Sequence, residues 1–272
     1  MDTDQLLLEE FVANHSTEAA RIVEQSDTEY ALAIIEKLPS DLAVIMIKNM
    51  EQYAVVKCLE TMKIDRSVEI IEKLPVQLSA SILRKMTADT RELILTNVTV
   101  ELSIPLKQML EYSEFSVGAI MNPLVPTLPD DISSKDAQQR VKKHSQQILH
   151  YIFVTRRDNT FAGIVKLEDL IIANSKEKLV SIMKTDIPHL NADTVFHKIL
   201  DHPGWTEFSA LPVLDGSGNF LGAIGHGQIR KIENSIKIPN QTKLTSNALG
   251  QLYRIGLESL LFTAGERTTE NR

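Results

Sequence analysis

One six-residue stretch, IIEKLP, occupies residues 34–39 and recurs unchanged at residues 70–75. The positions that follow keep the same 36-residue offset, since Leu42 matches Leu78. Apolar residues around both copies fall in short bursts at helical spacing, and repetition at this period is typical of stacked helix pairs. Residues 1–112 are therefore predicted to form an all-α superhelical repeat domain, in which neighbouring units bury each other's apolar stripes.

The periodicity changes after residue 113, where short apolar runs alternate with turns rich in Asp, Asn and Gly. Two β-hairpins are predicted, at residues 151–154 with 161–165 and at residues 211–214 with 220–224. Gly163 and Gly222 hold the same position in the two hairpins, which offsets the copies by 59 residues. Helices are predicted at residues 133–147, 167–173 and 193–202. The second half is thus predicted to be a tandem of small α/β modules, and the fold class of the whole chain is α+β.

The composition indicates a chain with a sizeable core and no membrane segment. At 272 residues and 43% hydrophobic content, two domains are expected. No run approaches the roughly 20 apolar residues of a spanning helix, and the acidic start MDTDQLLLEE lacks the basic leader of a signal peptide. Cys58 is the only cysteine, which excludes an internal disulfide. A soluble protein of the reducing cytoplasm is predicted.

Charge is distributed unevenly between the two halves. Residues 1–112 carry eleven Lys and Arg against nineteen Asp and Glu, a net charge of −8, whereas the remainder carries eighteen against seventeen. An acidic helical domain argues against a nucleic-acid groove, which needs clustered basic residues to meet phosphates. It suits either divalent cations, which prefer carboxylate oxygens, or a plain solvated acidic surface.

The motifs of common catalytic sites are absent. The sequence has no Walker-type glycine loop, no HExxH and no serine framed as a nucleophile elbow, and its seven histidines are scattered. His226 lies between two glycines and is predicted to be an exposed loop residue, with contact to a ligand as the alternative. Trp205 is predicted to pack against the sheet of the second module, with contact to a protein partner as the alternative. A regulatory or binding protein is favoured over an enzyme.

The C-terminal residues 236–272 are predicted to contain a polar linker, an amphipathic helix and a polar tail. The helical stretch is residues 248–262, where Ala248, Leu252 and Ile255 fall on one face at about 100° per residue. Because other leucines fall on the opposite face, this helix either packs on its own domain or contacts a protein partner or second copy.

Residues 112–123, YSEFSVGAIMNP, resemble the junction that joins the helical N domain of MgtE-type magnesium transporters to a pair of CBS domains. The stretch YIFVTRRDNTFAGIVKLEDLIIAN, from residue 151, resembles the first CBS repeat, and FSALPVLDGSGNFLGAI, from residue 208, resembles the hairpin of the second. The resemblance implies an N domain at 1–112 and a CBS pair at 113–235, with the first repeat at about 119–177 and the second at about 178–235. The membrane helices of these transporters have no counterpart in the sequence, so a free-standing relative is expected.

The resemblance also implies a magnesium site near the junction. In the family, Mg²⁺ ions bound by acidic side chains hold the N domain against the CBS pair. Asp89 and Glu114 are the matching candidates, while Thr90 and Phe115 stand where a neighbouring acid would be expected. The alternatives are a helix-start residue for Asp89 and simple solvent exposure for Glu114.

The resemblance to CBS pairs also implies a sensor of adenosine nucleotides such as ATP, ADP and AMP. By that resemblance Asp169 would bind the ribose hydroxyls, Lys166 would meet phosphate in place of the usual Ser or Thr, and Ile152 would lie near the base. The alternatives are a helix-start acid for Asp169 and core packing for Ile152. In the second repeat Gln228 replaces the aspartate, so at most one nucleotide per chain is predicted.

Together these features predict a cytoplasmic regulatory protein that binds Mg²⁺, an adenosine nucleotide or both, and thereby controls a partner. A homodimer through the CBS domains is expected, with no nucleic acid bound. Two alternatives stay open: a protein-interaction scaffold without a small-molecule ligand, and the cytosolic part of a full magnesium transporter.

Overall fold

The computed structural model describes residues 3–143 and 151–230, which divide into two compact units between Val100 and Glu101. The domain boundaries expected from the sequence stay predictions. The first unit consists of short α-helices: α1 (Thr3–Asn14), α2 (Ser16–Gln25), α3 (Thr28–Lys37), α4 (Ser40–Ile47), α5 (Gln52–Thr61), α6 (Ile64–Lys73), α7 (Val76–Lys85) and α8 (Ala88–Asn97). From α2 onward, a helix begins every twelve residues.

The 36-residue repeat contains three helices, so the expected helix pair is wrong. Helices α3, α4 and α5 correspond to α6, α7 and α8 at this offset. From α2 to α8, helices two places apart in the chain pack on each other, as α3 does on α5 and α6 does on α8, whereas α1 packs on α2 and α4. These helices are about ten residues long and are joined by connections of about two residues. A helix this short is not stable in isolation, so its apolar stripe is buried against such neighbouring helices.

Proline and aspartate explain where several of these helices begin. Leu38 and Leu74 end α3 and α6 in extended conformation, and the prolines that follow them occupy the cap positions of α4 and α7. The carboxylate of Asp27 caps α3 by accepting the backbone N–H of Tyr30 at 2.8 Å. The sequence pattern of Leu-Pro therefore sets the helix boundaries.

Glutamates connect helices that lie three apart in the chain. The carboxylate of Glu60 accepts the backbone N–H of Thr87 at 2.7 Å, and that of Glu72 accepts the N–H of Thr99 at 2.8 Å. Glu24 accepts the N–H of Glu51 in the same way. Each contact spans 27 residues and satisfies a donor at a helix start that no intrahelical carbonyl can reach.

Arg66 forms a network of polar contacts in the first unit. Its guanidinium donates to Ser40 Oγ at 2.5 Å, to Glu69 Oε2 at 2.7 Å and to the backbone carbonyls of Ile35 and Leu38. Hydrogen bonds from Ser40 and Arg66 hold the pKa of the Glu69 carboxyl below its ordinary value. The network ties α6 to the end of α3 and the start of α4.

The second unit contains two similar modules. Helix α9 (Val100–Glu111) runs into this unit, followed by α10 (Val117–Ile120), β1 (Thr127–Pro129), α11 (Ser134–Lys143), β2 (Tyr151–Thr155), β3 (Phe161–Lys166), α12 (Leu167–Ile172), α13 (Leu179–Ile182), β4 (Leu190–Asn191), β5 (Ala210–Leu214) and β6 (Phe220–Gly225). Two 3₁₀ helices, Phe196–Ile199 and Pro203–Thr206, lie between β4 and β5. In both sheets, the first strand pairs parallel and the third antiparallel with the middle strand.

The sequence pattern predicted the hairpins but not the parallel strands. Both hairpins lie where expected, as does α12. Strands β1 and β4 were missed because three and two residues are too few to show an alternating pattern. The helix expected at residues 193–202 is reduced to one 3₁₀ turn, Phe196–Ile199, and His202 is extended because Pro203 follows it. The part of residues 133–147 beyond Lys143, and all of 248–262, lie outside the described residues.

Each sheet is extended by a segment from the other module. The backbone of Lys184, after α13, exchanges two hydrogen bonds with Ile164 of β3, at 2.8 and 3.0 Å. The backbone of Asn122, after α10, exchanges two with Ala223 of β6, at 2.8 and 3.0 Å. The hairpin tips are also joined, since Phe220 N–H donates to the carbonyl of Asn159 at 3.0 Å. The two modules therefore form one interlocked body within the second unit.

Candidate ligand site

A pocket of about 350 Å³ opens where β3 ends and α12 begins. Tyr151, Lys166, Leu167 and Glu168 line it. Tyr151 starts β2 and pairs directly with Lys166, the last residue of β3. We call this place the first corner. Because the strand register fixes Tyr151 beside Lys166, an aromatic ring and a cation lie at its mouth.

Within the part of the chain that the structure describes, the lysine of the first corner forms one weak ion pair. Lys166 Nζ lies 3.6 Å from Glu168 Oε1, and both side chains are more than half exposed. An exposed pair of this kind contributes about 0–1 kcal/mol, because water screens it. Lys166 can therefore exchange its carboxylate partner for another anion at little cost.

Asp169 and Ile152, two of the residues predicted to bind a nucleotide, do not line the pocket. Asp169 is half-buried one residue beyond the pocket lining, and its carboxylate has no hydrogen-bond partner among residues 3–143 and 151–230. Ile152 is 3% exposed and belongs to the apolar core that includes Val154, Val165 and Leu170. The packing of Ile152 matches the core alternative, while the ribose role of Asp169 and the phosphate role of Lys166 remain predictions.

The wall behind Tyr151 comes from the second module. The Tyr151 and Phe208 rings meet edge to face with centroids 6.0 Å apart, and Lys184 Nζ lies 5.0 Å from the centre of the Phe208 ring. Lys184 also forms an ion pair with Glu207. Tyr151 and Glu168 were not among the residues predicted for the site, although the register of the predicted hairpin places Tyr151 opposite Lys166.

The proposed metal ligands are both exposed and lie in different units. Asp89 is in the first turn of α8, one residue after the helix begins, and Thr87 holds the cap position there. Glu114 is in the turn between α9 and α10. Within the described residues, no three His, Cys, Asp or Glu side chains converge as a metal site. Asp89 and Glu114 stay predictions as metal ligands.

Comparison with known protein families matches both parts of the chain. The family model of the MgtE intracellular N domain matches residues 7–114, and that of the CBS domain matches residues 117–176. The chain carries an MgtE N domain followed by a CBS domain. The second module, with the same strand order, completes a CBS pair. The resemblance to the MgtE N domain and CBS pair and the α+β fold class, both predicted from the sequence, are confirmed.

Curated relatives and solved structures agree with this assignment. The magnesium transporters MgtE of Thermus thermophilus and of Enterococcus faecalis are 22% and 24% identical over 115 and 125 residues, which cover 42% and 44% of this chain. The chain spans about a quarter of the length of these relatives, at 26% and 27%.

The solved structures show the same fold over most of the chain. The cytosolic domain of the Mg²⁺ channel MgtE in complex with ATP is 19% identical, with a TM-score of 0.70 over 84% of this chain and 93% of that one. The soluble part of a magnesium transporter is 14% identical, with a TM-score of 0.60 over 86% and 98%. Among residues 3–143 and 151–230, no helix has the length and apolarity required to cross a membrane.

Proposed function

We propose that this chain is a regulatory module of the cytoplasm, not an enzyme, which binds an adenosine nucleotide in the first corner of its CBS pair and controls a partner. The observation that carries the proposal is the pocket of about 350 Å³ with Lys166 at its edge and the Tyr151 ring beside it. That volume falls in the range of small-molecule sites, about 300–1,000 Å³. The solved relative that contains ATP supports the ligand class.

The residues of the first corner suit the parts of a nucleotide. The Tyr151 ring offers an aromatic face to a base, and Lys166 offers a mobile ammonium to a phosphate. The half-buried Asp169 carboxylate, which lacks a hydrogen-bond partner within the described residues, can accept hydrogen bonds from ribose hydroxyls. Nucleotide binding would displace Glu168 from Lys166, because the phosphate carries more negative charge than the carboxylate.

Calorimetric titration with AMP, ADP and ATP tests the proposal. We expect Lys166→Ala to weaken binding about tenfold, which corresponds to about 1.4 kcal/mol, the low end for a hydrogen bond to a charged group. Lys176→Ala is the matched control, because this lysine is exposed in the loop after α12 and does not line the pocket. Equal affinity of both variants and the unmodified chain would remove Lys166 from the site.

Magnesium is proposed as a second ligand. The support is that the curated relatives are magnesium transporters and that the first half of the chain is acidic. Asp89 and Glu114 each offer one exposed carboxylate, and Mg²⁺ usually binds proteins through one or two carboxylates while keeping several waters. Mg²⁺ can also enter the first corner together with the phosphates of ATP, so the titrations are made with and without the ion.

A homodimer through the CBS pair is proposed from an exposed apolar face. Ile171 and Ile172 of α12 are 72% and 82% exposed, and Val180 of α13 is also exposed. Two adjacent isoleucines in water are unfavourable, and burial of each contributes about 1.5–3 kcal/mol. We expect Ile171→Glu with Ile172→Glu to give monomers in analytical ultracentrifugation. The control is Leu124→Glu, and monomers of the unmodified chain would contradict the proposal.

A ligand-free scaffold is the second candidate function. Tyr53 and Phe115 are 79% and 69% exposed, as expected for aromatic anchors of a protein interface. The predicted partner contact of residues 248–262 lies outside the described residues and stays a prediction. Absence of heat with all three nucleotides would favour the scaffold.

A further inference from the structure

The second module has a place equivalent to the first corner. Ala210 starts β5 and pairs with Gly225, the last residue of β6, just as Tyr151 pairs with Lys166. We call the junction of β6 with the helical residues 226–230 the second corner. The equivalence follows from strand register alone, so the side chains of the two corners can be compared position by position.

An aromatic pair fills the second corner. The rings of Trp205 and His226 are stacked with centroids 5.3 Å apart and only 7° between their planes. Trp205 is 9% exposed, and its indole N–H donates to the carbonyl of Ile199 at 2.6 Å. The backbone N–H of His226 donates to the carbonyl of Ser209 at 2.8 Å. His226 is thus a half-buried stacked residue, and the expectation of an exposed loop histidine is wrong.

The other side chains of the second corner lack groups that could hold a nucleotide. Ala210 is 2% exposed and has no ring, and Gly225 replaces the lysine of the first corner. Gln228 stands at the position of Asp169, and its amide donates to the backbone carbonyl of Ile120 at 2.6 Å. A carboxylate could not make this bond, since it has no proton to donate. The glutamine therefore fixes the end of α10.

We propose that the second corner is closed by its own side chains, with the stacked rings of Trp205 and His226 in the place of a ligand and Gln228 bound to α10, so that each chain takes one nucleotide. This inference deepens the proposed function and rests on it for the ligand class. It also assigns the modules different tasks. The first binds the ligand, and the second holds the segment that follows α9.

Fluorescence tests the closure without any ligand, because Trp205 is the only tryptophan of the chain. Acrylamide should quench the unmodified protein weakly. His226→Ala should raise the quenching constant about twofold by removing one face of the indole's cover, and His226→Phe should restore the low value. His197→Ala is the control, since this histidine is exposed in the same module. Unchanged quenching in His226→Ala, or strong quenching in the unmodified protein, would overturn the closure.

Titration with AMP distinguishes closure of the second corner from the proposed function. AMP at saturation should leave Trp205 emission unchanged in the unmodified chain, and calorimetry should give one equivalent per chain. Quenching of Trp205 by AMP, or two equivalents, would overturn the closure even though the proposed function held. If no nucleotide binds at all, the proposed function fails, and the acrylamide series alone decides whether the corner is closed.

Discussion

Gly222→Ala is expected to lower the melting temperature of the second unit by about 5–10 °C, which corresponds to about 2–3 kcal/mol for overpacking in a body of this size. A Cβ at this position would lie 2.5 Å from the backbone oxygen of Asn122 and 3.0 Å from Cα of Pro123. Backbone atoms cannot move away from this contact as easily as the end of a flexible side chain can. The segment after α10 would therefore separate from β6 and lose its two hydrogen bonds to Ala223.

Matched glycines make this prediction specific. Gly163→Ala should have a similar effect, because its Cβ would collide with the backbone oxygen of Lys184 in the other crossing segment. Gly216→Ala should change the melting temperature little, since no heavy atom beyond its two chain neighbours lies within 4 Å of its Cβ position. Circular dichroism melts of the three variants provide the comparison. Equal stability of Gly222→Ala and Gly216→Ala would show that the crossing segments are not held as described.

Arg66→Leu is expected to destabilise the first unit by about 3 kcal/mol in urea unfolding. The substitution keeps much of the apolar stem but leaves Ser40 and the carbonyls of Ile35 and Leu38 without their donor. Each unsatisfied and partly buried group costs about 1–3 kcal/mol, although water can reach some of them after the change. Arg66→Lys should have a free energy of unfolding between those of the unmodified chain and Arg66→Leu, because an ammonium cannot reproduce the planar fork of donors.

Lys73→Ala is the control for this experiment. It lies on the same helix and pairs with Asp41 at 2.9 Å, but both side chains are substantially exposed, so a loss of at most about 1 kcal/mol is expected. Arg66→Leu with a stability equal to that of Lys73→Ala would contradict the network. The difference between the two variants measures what burial adds to a polar contact.

The sequence predicted the elements whose signals are local. The Leu-Pro pairs at residues 38–39 and 74–75 marked helix ends, and the alternating apolar runs marked both hairpins. The three-helix repeat was missed because the identity of IIEKLP at a 36-residue offset hid the shorter period, which keeps Ile70, Ile82 and Ile94 in register at twelve-residue spacing. The parallel strands β1 and β4 were missed because they are stabilised by partners from distant parts of the chain.

The candidate site was predictable only in part, for the same reason. Lys166 and Asp169 are next to a motif that the sequence shows directly. Tyr151 belongs to the site because the strand register places it beside Lys166. Trp205 and His226 are 21 positions apart, and no sequence periodicity predicts that their rings stack. Tertiary packing therefore determines which of the two corners is open.

The most direct measurement is a calorimetric titration of the unmodified chain with AMP and with ATP, each with and without Mg²⁺. The central claim is that the first corner binds one adenosine nucleotide. It predicts one equivalent per chain, together with weakened binding in Lys166→Ala and unaltered binding in Lys176→Ala. No heat with either nucleotide under all four conditions, or binding that is indifferent to Lys166→Ala, would contradict it.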